Sequence, residues 1–172
     1  NSSLIRNVTE AEIRKALFAI HLHNAPGPDG MSPLFFQTFW NIAKREVIAL
    51  VRQFFEGNFL PKVTNETLLT LLPKNDASIN LNQFRPISLC NVAYKIIAKI
   101  LVNRMKPLLP NCINPAQSAF IPGRQIIDNI ILAHESIHHL NNKRRGKDGY
   151  MAAKLDMSKA YDRVKWNFIA AV

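Results

Sequence analysis

Long apolar runs are missing: none exceeds five residues, as at 47–51, which excludes a membrane-spanning helix of about 20 apolar residues. Cysteine is scarce. Cys90 and Cys112 are the only two, far apart and without Cys-x-x-Cys spacing. They imply neither a disulfide framework nor a zinc knuckle and suit a reducing interior. The chain opens on Asn1 with no initiating methionine and nothing like a signal peptide, so an intracellular excerpt of a longer reading frame is expected. Repeats and low-complexity tracts are absent too. Acidic residues are the last shortage, 12 against 22 basic ones for a formal charge of +10.

What is present suffices for a folded domain. The 172 residues are 48% hydrophobic, enough to bury a core and to exclude wholesale disorder. The charge is lopsided: residues 1–82 hold 8 Lys/Arg and 7 Asp/Glu, residues 83–172 hold 14 and 5. A field that one-sided favours a polyanion, nucleic acid first, although membrane surfaces and acidic proteins also attract it.

Thr9 and Glu12 form a capping box ahead of Ile13, Ala16, Leu17 and Ile20 at helical spacing. That helix is expected to run to the turn Asn24-Ala25-Pro26-Gly27-Pro28-Asp29-Gly30. Ser32 and Pro33 open a second helix whose aromatics (Phe35, Phe36, Phe39, Trp40, Phe54, Phe55) read as core, ending at Gly57. Residues 67–72 and 84–89 read as short strands. Asn91 is placed to cap a helix through Tyr94, Ile97, Leu101 and Met105. A Pro/Asn-rich loop over 110–123 leads to a helix from about 125 to 143, and 150–156 reads as a buried strand. Mostly helices with a few strands means α+β.

Two constellations could carry chemistry. His134-Glu135-Ser136-Ile137-His138 has the zincin spacing, two imidazoles sharing a helix face with Glu135 as base. A catalytic zinc needs a third protein ligand, and position 144, where an extended motif would place a histidine, is Arg144. The plain reading is two histidines on a partly exposed helix face. The second is Lys154-Leu155-Asp156-Met157-Ser158-Lys159-Ala160-Tyr161-Asp162. A carboxylate at the end of an apolar strand has a rigid base and an open front, which suits Mg²⁺; equally, Asp156 could cap the following turn.

That segment, continued by Arg163-Val164, resembles the first catalytic motif of reverse transcriptases from non-LTR (LINE-type) retrotransposons. Ala25-Pro26-Gly27-Pro28-Asp29-Gly30, Leu72-Pro73-Lys74, Phe84-Arg85-Pro86-Ile87-Ser88-Leu89 and Gln117-Ser118-Ala119-Phe120-Ile121-Pro122-Gly123-Arg124 resemble the family's fingers motifs, in order. Ser88-Leu89-Cys90-Asn91-Val92-Ala93-Tyr94-Lys95 is particularly similar to the plant elements.

The resemblance implies an incomplete right-hand polymerase, with fingers over about 1–149 and the first palm strand in 150–172. By that analogy Asp156 is the catalytic ligand of Mg²⁺ or Mn²⁺, assisted by the Met157 carbonyl, and Lys74 and Arg85 grip the incoming triphosphate. Tyr161 lies beneath its sugar and excludes a 2′-hydroxyl, with core packing as its plain alternative; Asp162, read from the residues alone, caps the helix that begins at Arg163-Val164-Lys165-Trp166. Gly27, Asp29, Gly30 and Arg124 lie along template or primer. The implied partners are an RNA template, a DNA primer and deoxynucleoside triphosphates, with no membrane and the nucleus as the family's address. One departure matters: the family's downstream aromatic-x-Asp-Asp turn has no counterpart, because no Asp-Asp pair occurs. The expectation is a polymerase segment inactive by itself, the alternative a non-catalytic basic nucleic-acid-binding remnant.

Overall fold

Ile13, Ala16, Leu17 and Ile20 leave solvent together in the computed structural model, as their spacing requires. The structure describes residues 2–57, 59–143, 149–155 and 163–171, in two compact units, Asn1–Asn114 and Pro115–Val172. The first unit begins with helices α1 (Ser2–Ile5), α2 (Glu10–Phe18), α3 (Pro33–Thr38), α4 (Trp40–Gly57) and α5 (Lys62–Asn65). A two-stranded ribbon follows, β1 (Thr67–Pro73) and β2 (Phe84–Cys90), then α6 (Val92–Met105) and α7 (Leu109–Cys112). The second unit contains α8 (Ile126–Asn142) and α9 (Trp166–Ala171). The expected mixture of helix and strand is present.

The core of the first unit forms around α6. Its Val92, Ile96, Ile97 and Ile100 are buried with Ile13, Ala16 and Leu17 of α2 and with Trp40, Val47 and Val51 of α4. Each buried Val, Leu or Ile side chain among them contributes about 1.5–3 kcal/mol by leaving water. Only part of the aromatic stripe is core: Trp40 is buried and Phe36, Phe54 and Phe55 pack partly against it, whereas Phe35 and Phe39 remain exposed.

Thr9 caps α2 as expected, its hydroxyl accepting from the Glu12 N–H at 3.2 Å. The Glu12 carboxylate, besides a backbone hydrogen bond from Thr9, takes two bonds from the Arg104 guanidinium, Nε to Oε1 at 2.8 Å and Nη2 to Oε2 at 2.9 Å. Arg104 also donates through Nη1 to the Leu4 and Arg6 carbonyls, both at 2.9 Å, which ties the N-terminal segment to α6. These bonds hold the Glu12 carboxyl below its ordinary pKa, against the opposing effect of burial.

Three readings need correction. α2 ends at Phe18, well before the Asn24–Gly30 turn, because the Gln37 amide donates to the Leu17 carbonyl at 3.0 Å and the Ile20 carbonyl at 2.9 Å. A side chain from another helix thus satisfies the orphan end. The second helix breaks at Phe39 (φ −100°, ψ 28°), and its second piece starts with Trp40 entering the core. Residues 150–155 form no strand and are exposed, Leu155 at 94%. A strand needs a paired edge, and among the described residues β1 and β2 pair only with each other.

Candidate functional site

The Ala25-to-Gly30 segment folds as a tight turn, with the Gly30 N–H donating to the Gly27 carbonyl at 3.0 Å. Pro28 suits the second position of such a turn, and Gly30 takes φ +70°, which a glycine tolerates without strain. The Asp29 carboxylate accepts from the Met31 N–H at 3.0 Å, closing a local Asx turn.

Asn91 fixes this turn. It stands in the N-cap position of α6, but its side chain makes no capping bond. Only 4% exposed, its Oδ1 accepts from the Asp29 N–H at 3.2 Å and its Nδ2 donates to the Val63 carbonyl at 3.0 Å. Gly27 lies against the same place: a Cβ there would collide with Asn91 and sit 2.6 Å from the Cys90 carbonyl carbon. Lys95 adds a bond from Nζ to the Ala25 carbonyl at 2.6 Å. Two motifs 60 residues or more apart are therefore one structural unit. Asn91 as a buried clamp and Arg104 as a buried anchor were both missed from the sequence, since neither has a local signal.

The ribbon positions Lys74 and Arg85. β1 and β2 run antiparallel with Leu72 opposite Arg85 and Thr67 opposite Cys90. Lys74 extends the pairing through its N–H to the Gln83 carbonyl at 2.8 Å, and its Nζ donates to the Asn82 carbonyl at 2.7 Å. Two ammonium protons remain for another acceptor. Arg85 is exposed and forms no salt bridge among the described residues. Both cations stand at the tip, roughly 20 Å along β2 from Asn91 at 3.3 Å per residue. The structure thus brings Lys74 and Arg85 together but keeps them apart from the glycine turn.

In the second unit Arg124 follows Gly123, whose φ is +78°. Its Nη1 donates to the Gln117 carbonyl at 2.6 Å, and its N–H donates to the Ile121 carbonyl at 3.3 Å. The side chain thereby holds its own loop. Asn129 of α8 donates to the Ala116 carbonyl at 3.0 Å and to Ser118 Oγ at 2.9 Å. His134 and His138 are exposed on α8, and the His138 ring contacts the Asn142 amide. Among the described residues no group of three His, Cys, Asp or Glu is placed to hold a metal. Asp156, Met157, Tyr161 and Asp162 lie outside the described residues. No helix among the described residues is long and apolar enough to cross a membrane.

Residues 72–171 match the reverse transcriptase (RNA-dependent DNA polymerase) family. The chain is 33% identical over 162 residues to the transposon TX1 uncharacterized 149 kDa protein of Xenopus laevis, covering 94% of this chain and 12% of that one. It is 29% identical over 141 residues to the retrovirus-related Pol polyprotein from type-1 retrotransposable element R2 of Nasonia vitripennis, covering 82% and 13%. Over 157 residues it is 27% identical to the corresponding polyprotein from the type-2 element R2DM of Drosophila melanogaster, covering 90% and 14%. The chain thus spans about an eighth of the length of these relatives.

Proposed function

The chain belongs to the reverse transcriptase family of non-LTR retrotransposons, and from that premise we propose that it forms the fingers and first palm segment of a right-hand RNA-directed DNA polymerase. In this reading the fingers take about residues 1–149 and the start of the palm about residues 150–172. One observation carries the reading: the family match runs unbroken over 72–171 and so includes Lys74, Arg85, Arg124, Asp156 and Tyr161.

The proposed roles follow from side-chain chemistry. Arg85 forks phosphate oxygens of an incoming deoxynucleoside triphosphate, and Lys74 beside it supplies a point charge. Gly27, Asp29 and Gly30 form a rigid turn, and with Arg124 they are assigned to template or primer. Divalent metal is general to the family, and Asp156, with the Met157 carbonyl, is the ligand proposed for Mg²⁺ or Mn²⁺. A single carboxylate does not hold two ions in catalytic geometry, and the sequence has no Asp-Asp pair to add to it. The chain alone is therefore expected to bind nucleic acid without polymerising.

The charge favours a second reading, in which residues 83–172, with 14 basic and 5 acidic side chains, act as a non-catalytic nucleic-acid-binding module. Primer extension on a primed RNA template in Mg²⁺ or Mn²⁺ tests the expected inactivity. The chain should give none, and extension abolished by Asp156→Asn would contradict the incomplete site.

A further inference from the structure

A groove of about 380 Å³ opens in the first unit between the chain leaving α2, the end of β2 and the first turns of α6. His21, Ser88, Tyr94, Lys95 and Lys99 line it, and no carboxylate does. Lys95 and Lys99 are one helical turn apart on α6 and half-buried, so two like charges share one face where an anion between them would relieve their repulsion. Lys95 is held in place by its bond to the Ala25 carbonyl and keeps two further protons to donate. Lys99 makes no hydrogen bond or ion pair among the described residues. His21 accepts the His23 N–H through Nδ1 at 3.3 Å, which leaves the proton of the neutral ring on Nε2 as a donor. The polar lining is thus a donor set without an acid. At its edge stands Tyr94, a residue 38% exposed, whose ring offers a flat surface on which a base can stack.

We propose that this groove takes a phosphodiester of single-stranded nucleic acid between Lys95 and Lys99, with the adjoining base on Tyr94. It rests on the nucleic-acid-binding reading above and adds residues that neither the glycine turn nor the ribbon tip contains. A nucleoside triphosphate carries the same phosphate chemistry. The strand is favoured because the groove is open at the surface and stacking on one exposed ring suits successive bases.

The test is anisotropy of a labelled oligouridylate with the 172-residue chain across a salt series, with a deoxynucleoside triphosphate titrated in parallel. Lys99→Gln should weaken oligouridylate binding roughly threefold to tenfold and lower the log–log salt slope by about 0.7, one phosphate contact. Lys99→Arg should restore both, and Lys44→Gln on α4, outside the groove, should change neither. Tyr94→Leu should weaken binding with the slope unchanged. A Lys99→Gln slope equal to that of the parent would overturn the groove while leaving the nucleic-acid reading intact. Loss of triphosphate binding with oligouridylate unaffected would overturn it too, in favour of a nucleotide site. No salt-dependent binding by the parent chain would overturn both.

Discussion

Asn91 does two jobs that a helix cap does not, bonding the Asp29 N–H and the Val63 carbonyl from a buried position. Asn91→Leu should orphan both and cost about 2–4 kcal/mol, read as a lower urea midpoint. Gly27→Ala should also destabilise, because a Cβ there meets Asn91 and Cys90. Gly30→Ala should cost only the backbone strain of a positive φ, about 1 kcal/mol, since nothing stands within 4 Å of its Cβ position. Arg104 and Glu12 make a pH-dependent contribution. The folded Glu12 carboxyl is depressed by Arg104, so the unfolded chain binds its proton more readily. The pair's stabilisation is therefore complete above the ordinary carboxylate range and is lost as pH falls through the lower folded value. Glu12→Gln should flatten that acid limb of stability, and an unchanged limb would remove the pair from the account. At the proposed nucleotide site, Arg85→Lys in a longer polymerase bearing this segment should raise KM for deoxynucleotides about tenfold by losing the bidentate fork. In the same protein Tyr161→Val should admit ribonucleotides far better while much deoxynucleotide incorporation remains, and equal losses for both sugars would mark Tyr161 as packing.

At the scale of elements, local patterns were legible and long-range ones were not. Thr9 announced the start of α2 because capping is a contact between neighbours in sequence. Its end was misread because the group that stops it, Gln37, comes from another helix. β1 and β2 were found through their residue types, yet their burial was not. Leu68, Leu69, Leu71 and Leu72 are 44–65% exposed, apolar side chains on both faces of a ribbon whose outer edges are unpaired among the described residues. Such a ribbon invites self-association. Leu69→Lys should reduce aggregation, followed by light scattering, with little loss of folding stability. The strand expected over 150–156 shows the same limit: its composition suited pairing, but pairing requires a partner edge, and residues 150–155 form no strand.

At the scale of the whole molecule, charge and motif order conveyed more about function than any single element did. Five short motifs in the right sequence pointed to a reverse transcriptase, and the match over 72–171 agrees. What the sequence could not convey is that the glycine turn and the start of α6 are one unit, joined through Asn91 and Lys95, or that Lys74 and Arg85 share a ribbon tip well removed from it. The central claim is that this chain holds nucleic acid through phosphate contacts made by its basic residues. Its most direct test is the affinity of the 172-residue chain for a primed RNA template between about 50 and 200 mM salt. Counterion release predicts an affinity that falls steeply and linearly on a log–log plot, with little preference for sequence. An affinity that stays flat across that range would contradict it.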